Sequence, residues 1–103
     1  MKDKVILRLT ETVTVKGNNG QEAKVVARID TGATSSSIDE SLAGELQLGP
    51  VLRSKVIKSA SGIRKRPAVK VTVILKDICI EEEFTLADRN HMTYKMLIGQ
   101  NVL

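Results

Sequence analysis

An all-β domain is what the sequence predicts: apolar residues alternate with polar ones, residues suited to tight turns separate the alternating stretches, and the apolar residues are mostly branched aliphatics. Of the 103 residues 42% are hydrophobic but only 2% aromatic, so the core is expected to be Val, Ile and Leu packed in a compact sheet. A chain of this length makes one small domain, taken as residues 1–103, with no room for a second catalytic lobe.

The elements follow in order. Val5, Leu7 and Leu9 share one strand face and Val13 and Val15 follow, before Gly17-Asn18-Asn19-Gly20 supplies residues that tolerate positive φ in a hairpin turn. Ala23, Val25, Ala27 and Ile29 alternate with Lys24 and Arg28, which carries a half-buried strand directly into Asp30. Asp39 is placed to cap a short helix through Leu46. Two extended arms around Ala60-Ser61-Gly62, within residues 56–67, read as a hairpin with a small-residue tip able to close over a bound peptide. Val69, Val71, Val73 and Leu75, a turn at Asp77, then Ile78, Ile80, Phe84 and Leu86 form another hairpin, and Gln100-Asn101-Val102-Leu103 is read as the start of a further helix.

Composition narrows the function classes. The net charge of +4 and pI near 9.4 favour acidic partners without naming one. A single cysteine, Cys79, leaves no internal disulfide, no apolar run approaches the ~18 residues of a membrane span, and the first residues lack a signal-peptide core; a cytoplasmic, soluble protein with no membrane partner is expected. Chemistry concentrates at Asp30-Thr31-Gly32-Ala33-Thr34-Ser35-Ser36, where an acid leaves a strand for a glycine-containing turn. Backbone N–H groups and a neighbouring hydroxyl can orient a carboxylate presented in this way.

Ile29-Asp30-Thr31-Gly32-Ala33 together with Met96-Leu97-Ile98-Gly99 resembles the paired signature of retropepsin-like aspartic proteases. The likeness extends to the family labelled ATP-dependent zinc proteases through Ser61-Gly62, Arg66-Pro67-Ala68-Val69, Leu86-Ala87-Asp88-Arg89, Met92 and Tyr94-Lys95, in order, over roughly residues 23–103. The resemblance implies a small closed acid-protease barrel with a flap hairpin and one or two short helices. It also implies peptide-bond hydrolysis by water activated between two aspartates that share a proton. Asp39, Asp77 and Asp88 lack a following Thr-Gly or Ser-Gly, so the second acid is expected from another copy of the chain, in a homodimer. Asp30 is then catalytic, Thr31 bonds across the twofold axis to position it, and Gly32 admits the substrate backbone. Ala33, Thr34, the flap residues Ser59, Ala60, Ser61 and Gly62, and Ile98 are the implied substrate-binding positions.

Departures from the viral pattern modify this expectation. Thr34 and Gln100 stand where viral members carry an acid and an arginine that pair as charges; losing both leaves no unpaired charge, so neutral hydrogen bonds are expected instead. Viral members also continue into a terminal strand that interleaves with the partner, whereas this sequence stops at Leu103, and dimer affinity is where that difference is expected to show. The family label carries zinc and ATP. One His, one Cys and no Gly-x-x-x-x-Gly-Lys loop supply neither site, so no metal or other cofactor is assigned; His91 is read as a turn residue and Cys79 as a small apolar filler.

Arg64, Lys65 and Arg66 beside the flap tip suggest an acidic or glutamate-rich peptide or protein substrate, against the plainer reading of a solvated basic edge. Relatives associated with ATP-grasp ligases that add glutamates to proteins agree with the acidic reading. The alternative function is a non-catalytic dimerisation or peptide-binding module on the same fold. A nucleic-acid partner is not expected, because one Tyr and one Phe leave almost no stacking platform.

Overall fold

The computed structural model describes residues 9–60 and 62–103, apart from the side chain of Ser59. Seven strands and one helix follow in the order β1 (Thr10–Lys16), β2 (Glu22–Ile29), β3 (Ser36–Asp39), α1 (Glu40–Glu45), β4 (Val51–Ser59), β5 (Gly62–Leu75), β6 (Ile78–Ala87) and β7 (Met96–Ile98). The sheet order is β1-β2-β7-β3-β6-β5-β4, and β1 also pairs with β5, so six strands close into a barrel while β4 hangs from the first half of β5 as the flap. Closure pairs β1 with β5, while β4 keeps an unpaired edge that carries Arg53, Lys55 and Lys58, charges that discourage pairing with another sheet.

Period-two alternation builds the core. Val13 and Val15 of β1, Val25 and Ala27 of β2, Val69, Val71, Val73 and Leu75 of β5, and Met96 and Ile98 of β7 all point inward, around Phe84, the buried aromatic of β6. The predicted hairpins form. Val15 lies opposite Ala23 across the β1–β2 turn, where Gly20 adopts φ +83° and Gly17 N donates to Gln21 O at 2.7 Å. Leu75 faces Ile78 across Lys76 and Asp77, whose φ values of 50° and 65° suit the two-residue turn that matches strand twist. In the flap, Ser59 faces Gly62, so the tip is residues 60 and 61, of which Ser61 lies outside the described residues.

Some expectations change. Val5 and Leu7 lie outside the described residues, and Leu9 does not share the buried face of Val13 and Val15: it sits beyond the end of β1, 85% exposed, with its carbonyl accepting from Ile29 N at 2.8 Å. Cys79 is exposed rather than a filler, because it occupies the outward phase of β6 between the half-buried Ile78 and Ile80. Residues 100–102 form a turn, with the amides of Val102 and Leu103 donating to Gly99 O at 3.1 and 3.3 Å.

Two buried features hold the end of the barrel where β2 stops. Asp39, 2% exposed, caps α1 by accepting from Leu42 N through Oδ2 at 3.3 Å, while Oδ1 accepts from Arg89 N at 2.8 Å and ties the loop after β6 to the helix. On the other side Gly99 lies so close under residues 33–35 that a Cβ would run into the carbonyls of Ala33 and Ser35. Its amide donates to the buried Ser36 Oγ at 2.9 Å, Ser36 Oγ donates to Asn101 Oδ1 at 2.7 Å, and Asn101 Nδ2 donates to Glu83 O at 2.8 Å.

These contacts give two stability predictions. Asp39→Ala removes the cap and orphans a buried amide, about 2 kcal/mol or more together, and should lower Tm by roughly 10 °C, with Asp39→Asn losing about half as much because it keeps one acceptor oxygen. Gly99→Ala sets a methyl against immobile backbone carbonyls and should cost about 1–3 kcal/mol. Thermal melts followed by circular dichroism check both, and unchanged midpoints would show that neither contact holds the fold.

Candidate active site

Asp30 is the first residue beyond β2, and three hydrogen bonds define its place. Its amide donates to Ile98 O at 2.9 Å, its carbonyl accepts from Ala33 N at 3.2 Å, and its Oδ1 accepts from Gly32 N at 3.0 Å. Oδ2 makes no hydrogen bond among the described residues, so the carboxylate is oriented through one oxygen and open through the other. The turn is then fastened to the residue after Gly99: Gln100 N donates to Ala33 O at 2.8 Å, and Gln100 Nε2 donates to Thr31 O at 2.6 Å. A neutral amide thus spans the loop from the position where an arginine was the viral pattern. Thr31, Gly32 and Thr34 are exposed and Ala33 is half-buried, which leaves the loop surface facing out.

A cleft of about 490 Å³ runs between residues 32–35 of the loop and residues 56–58 of the flap. Ala33 and Thr34 therefore line an open groove beside Asp30, but the flap contributes Val56, Ile57 and Lys58 to this cleft rather than its tip. Ala60 and Gly62 are exposed at the end of the hairpin, past this groove; Ser61 and the side chain of Ser59 lie outside the described residues. Ile98 is corrected more firmly. Its side chain is fully buried in the core, so it offers substrate no surface and acts through its carbonyl, the acceptor for Asp30 N. Lys55 Nζ donates to Ser35 Oγ at 3.3 Å and joins the root of the flap to the loop.

A second cleft, of about 460 Å³, opens on Asp30 from the other side, with Arg28, Leu97 and residues 91–94 in its wall. His91 is exposed in that loop, as a turn residue. Arg89 reaches the same cleft from behind and is the functional candidate that sequence reasoning did not single out. Only 9% exposed, it donates from Nε to Tyr94 O at 3.0 Å and from Nη1 to Ser37 Oγ at 3.4 Å. Burial pulls its guanidinium below its ordinary pKa; the charge of Asp39 opposes that shift, and the charges of Arg28 and Arg66 add to it. The signal available in the sequence was Asp88-Arg89 within a matched block, whose burial no strand or helix period could reveal.

No other carboxylate lines either cleft among the described residues. Asp39 is consumed as a buried cap, Asp77 sits in a hairpin turn, and Asp88 is exposed with Oδ1 accepting from Asn90 N at 3.1 Å. The described residues also contain no group of three His, Cys, Asp or Glu side chains able to hold a metal ion, and no helix is long and apolar enough to cross a membrane.

Solved structures share this architecture. EIAV protease complexed with the inhibitor HBY-793 superposes with a TM-score of 0.70 at 20% identity, covering 97% of this chain and 88% of that one. A Legionella pneumophila protein of unknown function, Lpg0085, gives 0.65 at 18% identity over 97% and 87%, and the retroviral protease-like domain of Ddi1 from Leishmania major gives 0.58 at 20% over 91% and 73%. At these identities the likeness establishes the retropepsin-like fold. No curated protein matches the sequence. A family model does: that of the retropepsin-like aspartic endopeptidase RimB matches residues 41–103, a stretch that begins after the Asp30 loop and contains the Gly99–Asn101 segment on which that loop rests. The match spans more than half of the sequence, and the chain belongs to the RimB-like family of retropepsin-like aspartic endopeptidases.

Proposed function

We propose that the protein is an aspartic endopeptidase that acts as a homodimer, each chain contributing one Asp30. The observation that carries this reading is a rim carboxylate held by one oxygen, open at the other and flanked by two clefts that contain no further acid among the described residues. Twofold pairing would bring the loop against its own copy, with Thr31 bonding across the axis to hold the two carboxylates in plane. Like charges that close hold one proton between them. The ionised acid takes a proton from water as the oxygen adds to the peptide carbonyl carbon, and the protonated acid gives its own to the carbonyl oxygen. Collapse of the tetrahedral species breaks the C–N bond as the amine leaves with a proton returned from the dyad.

The flap bears on substrate class. Lys55 and Lys58 on β4 and Arg64, Lys65 and Arg66 on β5 make the hairpin basic, which supports an acidic or glutamate-rich peptide as substrate. Strand alternation divides that run, however: Arg64 and Arg66 share one face and Lys65 takes the other, so the three do not act as one patch.

Asp30→Asn should lower peptide cleavage about 10²–10⁴-fold or more while leaving the melting curve and sedimentation of the chain unchanged. Unchanged cleavage would remove the enzyme reading, and an intact dimer that binds peptides without cutting them would favour the binding module. Mixing equal amounts of wild-type and Asp30→Asn chains at fixed total concentration should leave about one quarter of the activity rather than about one half, since only wild-type pairs are competent. The rate should peak below neutral pH, falling at high pH as both acids ionise and at low pH as both become protonated. Replacing Arg64, Lys65 and Arg66 together by Gln should reduce cleavage of polyglutamate more than of a neutral peptide, and equal losses would discard the flap as a source of preference.

A further inference from the structure

The Asp30 loop is clasped at two of its carbonyls by Gln100, once through the backbone and once through the side chain. Gln100 N donates to Ala33 O at 2.8 Å, which roots the residue, and Gln100 Nε2 donates to Thr31 O at 2.6 Å. A carbonyl oxygen only accepts, so the atom that meets Thr31 O at that distance is the amide nitrogen of the side chain. The other end of the same peptide unit is engaged as well, because Gly32 N donates to Asp30 Oδ1 at 3.0 Å. The planar Thr31–Gly32 peptide is thus held at its oxygen by Gln100 and holds the Asp30 carboxylate with its hydrogen. Its own residues do little to fix that plane: Thr31 and Gly32 are both exposed, and glycine leaves the backbone soft. A donor at the peptide oxygen also polarises the N–H at the far end, and hydrogen bonds chained in this way strengthen one another.

We propose that Gln100 is a positioning residue for the reaction: through the Thr31–Gly32 peptide it sets the plane of the Asp30 carboxylate and keeps Oδ2 turned outward. The assignment rests on the endopeptidase reading of Asp30 and deepens it, because it names a residue outside the Asp-Thr-Gly loop on which the geometry of the acid depends. Reacting atoms tolerate little displacement, and a misplacement of about 1 Å costs about 10²-fold in rate. Reach selects the side chain. An arginine Nε stands as many bonds from Cα as the glutamine Nε2 and also carries a hydrogen, whereas an asparagine amide falls one bond short. The plainer role, a staple that only stabilises an exposed turn, would cost stability or assembly and leave the rate of each assembled site unchanged.

Cleavage of a fluorogenic oligoglutamate peptide, at protein concentrations where sedimentation shows equal assembly, should give Gln100→Met a kcat about tenfold or more below wild type with KM within about twofold. Gln100→Asn should behave in the same way, and Gln100→Arg should recover most of the rate. Circular dichroism melts should stay close to wild type, since the side chain is exposed. A second readout needs no turnover. In isotope-labelled protein the Gly32 amide proton, deshielded by the carboxylate, should move upfield in Gln100→Met and Gln100→Asn and return in Gln100→Arg, with Asp30→Asn marking the shift of the bond without the charge. An unmoved Gly32 amide overturns the positioning role, as does a rise in KM with kcat retained or a loss of rate that vanishes at higher protein concentration. A Gly32 amide that moves in a chain whose wild type cleaves nothing would retain Gln100 as the holder of the carboxylate and overturn the endopeptidase reading. Cleavage that depends on Asp30 with the amide unmoved would do the reverse.

Discussion

The close approach of Gly99 to residues 33–35 is the constraint on which the rest of this site depends. Because no side chain separates the two backbones, Ser36 Oγ can take the Gly99 amide and Gln100 can bond both the Ala33 and Thr31 carbonyls. A turn containing Thr31, Gly32 and Thr34, all exposed, would otherwise wander, since it buries little apolar surface of its own. Hydrogen bonds at a buried seam are costly to leave unmade, and no buried side-chain polar atom is left without a partner among the described residues. The carboxylate of Asp30 therefore inherits its position from β7, far away in sequence, rather than from its own turn alone.

Legibility in the sequence followed how local the cause was. The hairpins β1–β2 and β5–β6 were readable because side-chain period and turn chemistry are properties of adjacent residues. Asp39 was readable as a cap for the same reason, but its second bond, to Arg89 N, joins residues fifty apart and left no local trace. The short strand β3 was not among the expected elements, because Ser36 and Ser37 show no apolar alternation; pairing with β6 and β7 on its two sides makes it a strand. Ile98 was assigned to substrate from its motif although its alternation with Met96 already marked the inward phase. The flap was recognised correctly, while the part of it that faces the loop depends on how β4 bends over the barrel, and no residue pattern encodes that bend directly.

Closure explains how so aliphatic a chain holds together at this size. Phe84 and Met96 fill the middle, but most inward positions are Val, Ile or Ala, each worth only about 1.5–3 kcal/mol or less on burial. A barrel distributes such small gains around a closed ladder, so the core is enclosed without large rings. The flap is the exception, with Val56 and Ile63 exposed at 54% and 69%. Its exposed apolar side chains and few buried contacts leave it freer to open locally than the barrel.

The places of Asp30 and Arg28 are coupled through β2. The same two-residue period that delivers Asp30 to the rim sets Arg28 on the same face, and the bond from Asp30 N to Ile98 O fixes the strand's end against β7, where Leu97 faces Arg28. A shift of the strand by one residue would withdraw both from the cleft and expose Ala27 in their place. Arg89 enforces the arrangement from the opposite wall, since its guanidinium is bonded to Tyr94 O and Ser37 Oγ and cannot follow Arg28 toward solvent. Positive charge beside the acid is therefore a consequence of register as well as of composition.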